Sequence, residues 1–190
     1  MIKAFLLDNH DSFTYNLASL LRDNKHVKLT IITPEKIDIA SIALYDKIVF
    51  SPGPGLPVEY PIMCDILDAY KETKSILGVC LGHQMIGEYF GAKLANLEQV
   101  SHGMIKKLHI THSRYGFYTG IPDQSEIGVY HSWYVSKDDF PDCLSVTAES
   151  NDRLIMSLEH KQFDIQSVQF HPESFITQHG RLMIDNWLNV

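Results

Sequence analysis

The segment Ser75 to Gly91, SILGVCLGHQMIGEYFG, changes its hydrophobic period in the middle. A short apolar run, Ser75 to Val79, gives way at Cys80 to a helix-type pattern over Gly82 to Phe90, with glycines two residues to either side of the cysteine. A buried strand that turns directly into a helix is the building unit of parallel α/β sheets, so this run narrows the fold more than any other. The turn also has chemical meaning. A side chain at a sharp strand-to-helix elbow is pushed out of the sheet, and small residues beside it let the two backbones close. The helix start turns N–H groups and partial positive charge toward the sulfur, which favours thiolate. Cys80 is thus a candidate nucleophile, although most free cysteines are small buried hydrophobes.

A second segment, DIQSVQFHPESF, carries a strand-like run from Ile165 to Phe170 followed by His171, Pro172 and Glu173. An imidazole with a carboxylate two residues on supplies the base and the orienting acid of a Cys/His/acid triad. Pro172 holds its own φ and pushes His171 toward extended backbone, so both side chains leave a stiff strand end. A third segment, KIVFSPGPGLP, runs from an apolar strand into Ser51, Pro52, Gly53, Pro54 and Gly55. Alone it is a turn. Beside the elbow, the N–H groups of Gly53 and Leu81 become candidates to bind a developing oxyanion, where one donor is typically worth about a hundredfold to a thousandfold in rate.

The first half alternates strand and helix. Strands are expected at Ile2 to Leu7, Lys28 to Ile32, Lys47 to Phe50 and Ser75 to Val79, with helices over Ser12 to Asn24, Val58 to Lys71 and Gly82 to Phe90. Asp11 reads as the N-cap of the first helix, whose Phe13, Leu17, Leu20 and Leu21 share a face. The second half is richer in strands: Ile105 to His109, Glu126 to Tyr130, Leu144 to Glu149, Leu154 to Glu159 and Ile165 to Phe170, before a helix over Thr177 to Leu188. The pattern predicts an α/β fold, a mostly parallel sheet covered by helices on both sides with an antiparallel extension in the second half. Each chemical motif falls where a strand ends.

These three segments and a fourth, DNHDSFTYNL at Asp8 to Leu17, together resemble the triad-type (class I) glutamine amidotransferases. Within that family the chain is similar to the subunits that serve anthranilate synthase and aminodeoxychorismate synthase. The resemblance runs from Met1 to the terminal helix and implies a flavodoxin-like open sheet. It implies Cys80 as nucleophile on the side-chain amide of L-glutamine through a γ-glutamyl thioester, His171 as base and then acid, and Glu173 as the group that orients the imidazole. It places glutamine against Gly53, Pro54, Gly55 and Leu81, the side chain of Gln84, and the backbone at Ser132 and Trp133. From the residues alone, Gln84 is a solvated helix residue and Ser132 an ordinary loop hydroxyl.

No metal or organic cofactor is implied for this half-reaction; the partner synthase is expected to need Mg²⁺. His83 and His131 read as structural, because they lack a second pair at metal-ligand spacing. In DNHDSFTYNL, His10, Ser12 and Tyr15 are candidates for partner docking or for supporting the oxyanion loop. The family often has a lysine after the histidine and glycine where this chain has His102, Gly103 and Met104, and a leucine where it has Trp133. The chain has no segment large enough to bind chorismate, so the implied partner is a chorismate-binding synthase subunit that receives the ammonia directly. Two products are open, anthranilate for tryptophan and aminodeoxychorismate for folate, as is a subunit shared by both. A non-catalytic regulatory subunit is the reading from a different class, and intact Cys80, His171 and Glu173 argue against it.

Composition agrees. At 190 residues the chain suits one domain, 1–190, with one sizeable core. A formal charge of -7 speaks against a nucleic-acid or membrane-surface partner. No apolar run is long enough to cross a bilayer, and MIKAFLLDNHD reads straight into a strand where a signal peptide would have charged and apolar zones. Three cysteines, Cys64, Cys80 and Cys143, are not arranged in pairs, which suits a cytoplasmic setting.

Overall fold

The computed structural model describes residues 1–111 and 113–189. In chain order the first half contains β1 (Ile2–Leu7), α1 (Thr14–Arg22), β2 (Val27–Ile32), β3 (Lys47–Phe50), α2 (Pro61–Tyr70), β4 (Ser75–Val79) and α3 (Leu81–Tyr89). The second half contains β5 (Leu94–Ile110), β6 (Glu126–Val135), β7 (Leu144–Ser150), β8 (Ile155–His160), β9 (Ile165–Val168) and α4 (Gly180–Leu188). The strands form one sheet in the order β2-β1-β3-β4-β9-β8-β7-β5-β6. Strands β2, β1, β3, β4 and β9 pair in parallel. From β9 outward through β8, β7, β5 and β6 every pairing is antiparallel.

Side-chain alternation along the parallel strands divides the core in two. Leu6, Val49, Leu77 and Val168 face α1 and α4, packing with Leu17, Leu21, Met183 and Trp187. Phe5, Leu7, Ile48, Phe50 and Ile76 face α2 and α3, packing with Met63, Leu67, Met85 and Ile86. Both faces of β3 are buried, as expected for a parallel strand covered on two sides. A smaller cluster of Ala92, Val135, Leu144, Ile155 and Leu158 lies under the antiparallel part.

Four expectations are corrected. Asp11 does not cap α1: its carboxylate accepts the N–H of Phe13 at 2.7 Å in a turn, and the helix starts at Thr14. The second helix is shorter than expected because Pro61 disfavours helical backbone at the preceding Tyr60; a 3-10 turn, Pro57–Glu59, precedes α2. The strand expected at Ile105 to His109 is the end of a 17-residue strand. Its alternation is broken by register shifts between Asn96 and Ser101 and between His102 and Met104, with Gly103 at φ 66°. Finally, β6 continues to Val135, so Ser132 and Trp133 stand on a strand.

Candidate active site

The elbow is built by close packing. Cys80 sits at φ 53° and ψ −98°, backbone that side-chain-bearing residues rarely adopt, and its N–H is held by the carbonyl of Val168 on β9 at 2.8 Å. A Cβ at Gly78 would stand 2.5 Å from the carbonyl oxygen of Gly82, and one at Gly82 would stand 2.7 Å from Cβ of Phe50. Any larger residue would therefore open the turn. Cys80 directly precedes Leu81, the first residue of α3, where N–H groups have no partner within the helix.

His171 leaves the end of β9 beside this elbow. Its N–H donates to the carbonyl of Gly128 on β6 at 3.0 Å, and its own carbonyl accepts from Thr177 Oγ1 at 2.6 Å. The ring nitrogen Nδ1 meets Glu173 Oε1 at 2.7 Å, and both side chains are buried. Phe13 and Tyr130 set their rings edge-on to the imidazole, with centroids at 5.0 and 4.9 Å. Burial works against a charged imidazole here, but Cys80, by charge attraction and hydrogen bonding, and then Glu173 hold His171 well above its usual pKa. The second ring nitrogen, Nε2, makes no well-aligned hydrogen bond, so charge attraction is the larger part of its interaction with Cys80.

In front of the sulfur lies a cleft of about 170 Å³ lined by Gly53, Pro54, Gly55, Cys80, Leu81, Gln84, Tyr130, His131, Ser132 and Trp133. All seven residues expected to hold substrate thus lie on one cleft, brought from the ends of β3 and β4, from α3 and from β6. Gln84 is not a solvated helix residue. It is buried, and its Nε2 donates to the carbonyl of Trp133 at 2.8 Å and to Gln169 Oε1 at 3.3 Å.

The turn of Gly53 is braced from behind. Asn9 donates its N–H to Ser51 Oγ at 2.9 Å and its Nδ2 to the carbonyl of Ser51 at 3.0 Å, while the Tyr60 hydroxyl donates to the carbonyl of Pro54 at 3.0 Å. A Cβ at Gly53 would lie 2.5 Å from Cδ2 of Leu81 and 2.8 Å from Cβ of Asn9, which leaves room only for glycine. Loop support within Asp8 to Leu17 therefore comes from Asn9. Ser12 and Tyr15 are exposed, and His10 pairs with Glu35 at 2.7 Å on the surface.

Sequence reasoning missed Asn9, Phe13, Tyr130 and Gln169. The last gave no periodic signal, because β9 ends at Val168 and Gln169 stands in the bend that follows. His83 is buried outside the cleft lining, whereas His131 is one of the residues that line it. Burial, and then the neighbouring His131, lowers the His83 pKa to about 3; burial lowers that of His131 to about 4, against a stabilising bond from its ring to the carbonyl of Trp133.

A family model of class-I glutamine amidotransferases matches residues 5–190. A Haemophilus influenzae protein provisionally named anthranilate synthase component II is 42% identical over 189 residues, covering 100% of this chain and 97% of that protein. Aminodeoxychorismate synthase component 2 of Escherichia coli is 38% identical over 186 residues, covering 97% and 98%. The crystal structure of a Thermoplasma acidophilum protein provisionally described as a GMP synthase component superposes with a TM-score of 0.88 at 26% identity, covering 100% of this chain and 93% of that one. With a cysteine elbow, a buried histidine–carboxylate pair and a glycine turn around one cleft, and with a family match that spans nearly its whole length, this chain belongs to the class-I glutamine amidotransferases.

Proposed function

We propose that this chain hydrolyses L-glutamine with Cys80, His171 and Glu173 and supplies the ammonia to a chorismate-using synthase subunit. The observation that carries the reading is the meeting of Cys80 with the buried His171–Glu173 pair beside the 170 Å³ cleft. That volume lies well below the roughly 300–1,000 Å³ of sites for drug-sized ligands and suits a single amino acid. Sulfur attacks the side-chain carbonyl carbon of glutamine, and its proton passes to His171. The oxyanion that forms is met by the N–H groups of Gly53 and Leu81. As the C–N bond breaks, His171 returns the proton to nitrogen and ammonia leaves, with the γ-glutamyl group held as a thioester on Cys80. Water, deprotonated by His171, attacks the thioester; the C–S bond breaks, the thiol is restored and glutamate departs.

Glu173 keeps Nδ1 engaged so that Nε2 faces the chemistry. Gln84, with its nitrogen tied to Trp133 and Gln169, offers the rest of its carboxamide to the substrate. Gly53, Pro54, Gly55, Ser132 and Trp133 close the rim. These steps need no metal or organic cofactor, and Mg²⁺ belongs to the partner. Relatives named for anthranilate synthase and for aminodeoxychorismate synthase support a chorismate-binding partner; their identities to this chain overlap, and anthranilate is the product we assign, with aminodeoxychorismate as the second. Direct transfer has a physical motive, since ammonia freed near neutral pH is protonated and loses its nucleophilic lone pair. Cys64, Cys80 and Cys143 are free thiols, which supports a reducing, cytoplasmic setting.

Cys80→Ser in the complex with the synthase subunit tests the reading. Synthesis from glutamine is expected to vanish while synthesis from added ammonium persists, and the product formed identifies the pathway. Loss of both activities, or glutamate release by the variant, would sink it.

A further inference from the structure

Gln169 is fully buried in the bend that follows β9, two residues before His171, and both side chains interact with Cys80. Its N–H is fixed by the carbonyl of Met156 on β8 at 2.8 Å. Its carboxamide nitrogen donates to Cys80 Sγ at 3.7 Å, and its carboxamide oxygen accepts from Gln84 Nε2 at 3.3 Å. Gln84 stands one helical turn after Cys80 and anchors its own nitrogen on Trp133 at 2.8 Å. The three side chains therefore tie the nucleophile, the helix that carries it and the β6 wall of the cleft into one hydrogen-bonded chain.

We propose that Gln169 is a positioning residue for the nucleophile: its Nε2–H holds the Cys80 sulfur and stabilises it as thiolate, while its Oε1 sets the orientation of Gln84 at the substrate cleft. The arrangement answers a problem specific to this site. A carboxamide is the group that Cys80 is read as attacking, so a glutamine beside it must present nitrogen and not its carbonyl carbon. Gln84 enforces that, because its donor engages the Gln169 oxygen and turns the nitrogen to the sulfur. An uncharged donor adds no charge of its own beside the sulfur. His171 with its partner Glu173, neutral His131 and Tyr130 are the titratable side chains around it.

The inference rests on the reading of Cys80 as nucleophile, and its test is made independent of glutamine turnover. The rate of Cys80 alkylation by iodoacetamide is measured against pH on the full chain, with Cys64→Ala and Cys143→Ala as background, for the parent, Gln169→Met and Gln169→Glu. The midpoint belongs to the thiol–imidazole pair. Gln169→Met, which removes the donor at similar volume, is expected to raise it by about one unit, a tenfold loss of thiolate below the midpoint, with the high-pH plateau within about twofold. Gln169→Glu keeps an acceptor for Gln84 but sets a carboxylate against the sulfur, and is expected to raise the midpoint further. Midpoints within about 0.2 unit of the parent in whichever variant folds would overturn the proposal. Loss of glutaminase chemistry as a reading would show instead as glutamate release by Cys80→Ser, with these alkylation shifts intact.

Discussion

Phe13 stands edge-on to the imidazole of His171, with ring centroids 5.0 Å apart at an interplanar angle of 62°. Its ring also lies 4.9 Å from that of Tyr130, which meets the same imidazole at 4.9 Å, so the three rings pack as a triangle. The imidazole is thus held by Glu173 at one nitrogen and by two aromatic rings. Such ring pairs are worth about 0.5–1.5 kcal/mol each beyond simple burial. Phe13→Ala is expected to lower kcat for glutamine about tenfold while KM stays within about twofold, because the ring steadies His171, the proposed proton-transferring group, and does not line the cleft. Steady-state kinetics of the complex check this, and a change confined to KM would contradict it.

Gly82→Ala is expected to damage the elbow. The added Cβ would stand 2.7 Å from both Cβ and the carbonyl oxygen of Phe50, neither of which has an easy direction of retreat from the core. Overpacking of this kind costs about 1–3 kcal/mol, and the displaced helix start would move the N–H of Leu81. Urea unfolding should show the loss of stability, and glutaminase activity should fall by more than the folded fraction does.

Trp133 reaches Gln84 and His131 through its backbone carbonyl, at 2.8 and 2.9 Å. Trp133→Leu is therefore expected to leave KM for glutamine within about threefold, whereas Gln84→Met, which removes the side chain facing the cleft, is expected to raise it at least tenfold. A larger effect from Trp133→Leu than from Gln84→Met would show that the indole, not the strand, shapes the cleft.

His83 governs part of the acid response. Its ring is fully buried against Ser167 Oγ at 2.9 Å, and burial lowers its pKa from 6.5 to about 3. The unfolded chain takes up a proton that the folded one refuses between those values. The contribution is fully present above pH 6.5 and is lost progressively as the pH falls toward about 3, on the order of 5 kcal/mol across the whole window. His83→Asn is expected to be less stable than the parent at pH 7.5 and to show a flatter decline between pH 6.5 and 4.5. Parallel denaturant titrations at those pH values measure it, and identical slopes would refute the assignment.

Much of this was written along the chain. The strand-to-helix change of period at Cys80, the glycines around it, and the stiff His171–Pro172–Glu173 exit are local signals, because turn sterics and side-chain alternation act over a few residues. The parallel half of the sheet followed from the same alternation. Less legible was β5, whose 17 residues pass through bulges that erase the two-residue period, and with it the placement of Ser132 and Trp133 on a strand. The start of α1 also shifted, since Asp11 is used in a turn ahead of the helix.

The amino-acid sequence by itself determined which groups are available for chemistry and which strand ends carry them. Only the tertiary structure decided that Asn9 braces the Gly53 turn, that Phe13 packs on His171, and that Gln169 and Gln84 meet beside the Cys80 sulfur. The reason is physical. Periodicity and turn chemistry are properties of neighbours in the chain, whereas these contacts join residues far apart in sequence and arise only when β1, β3, β4 and β9 lie side by side and β6 is brought against α3 and the segment after β9.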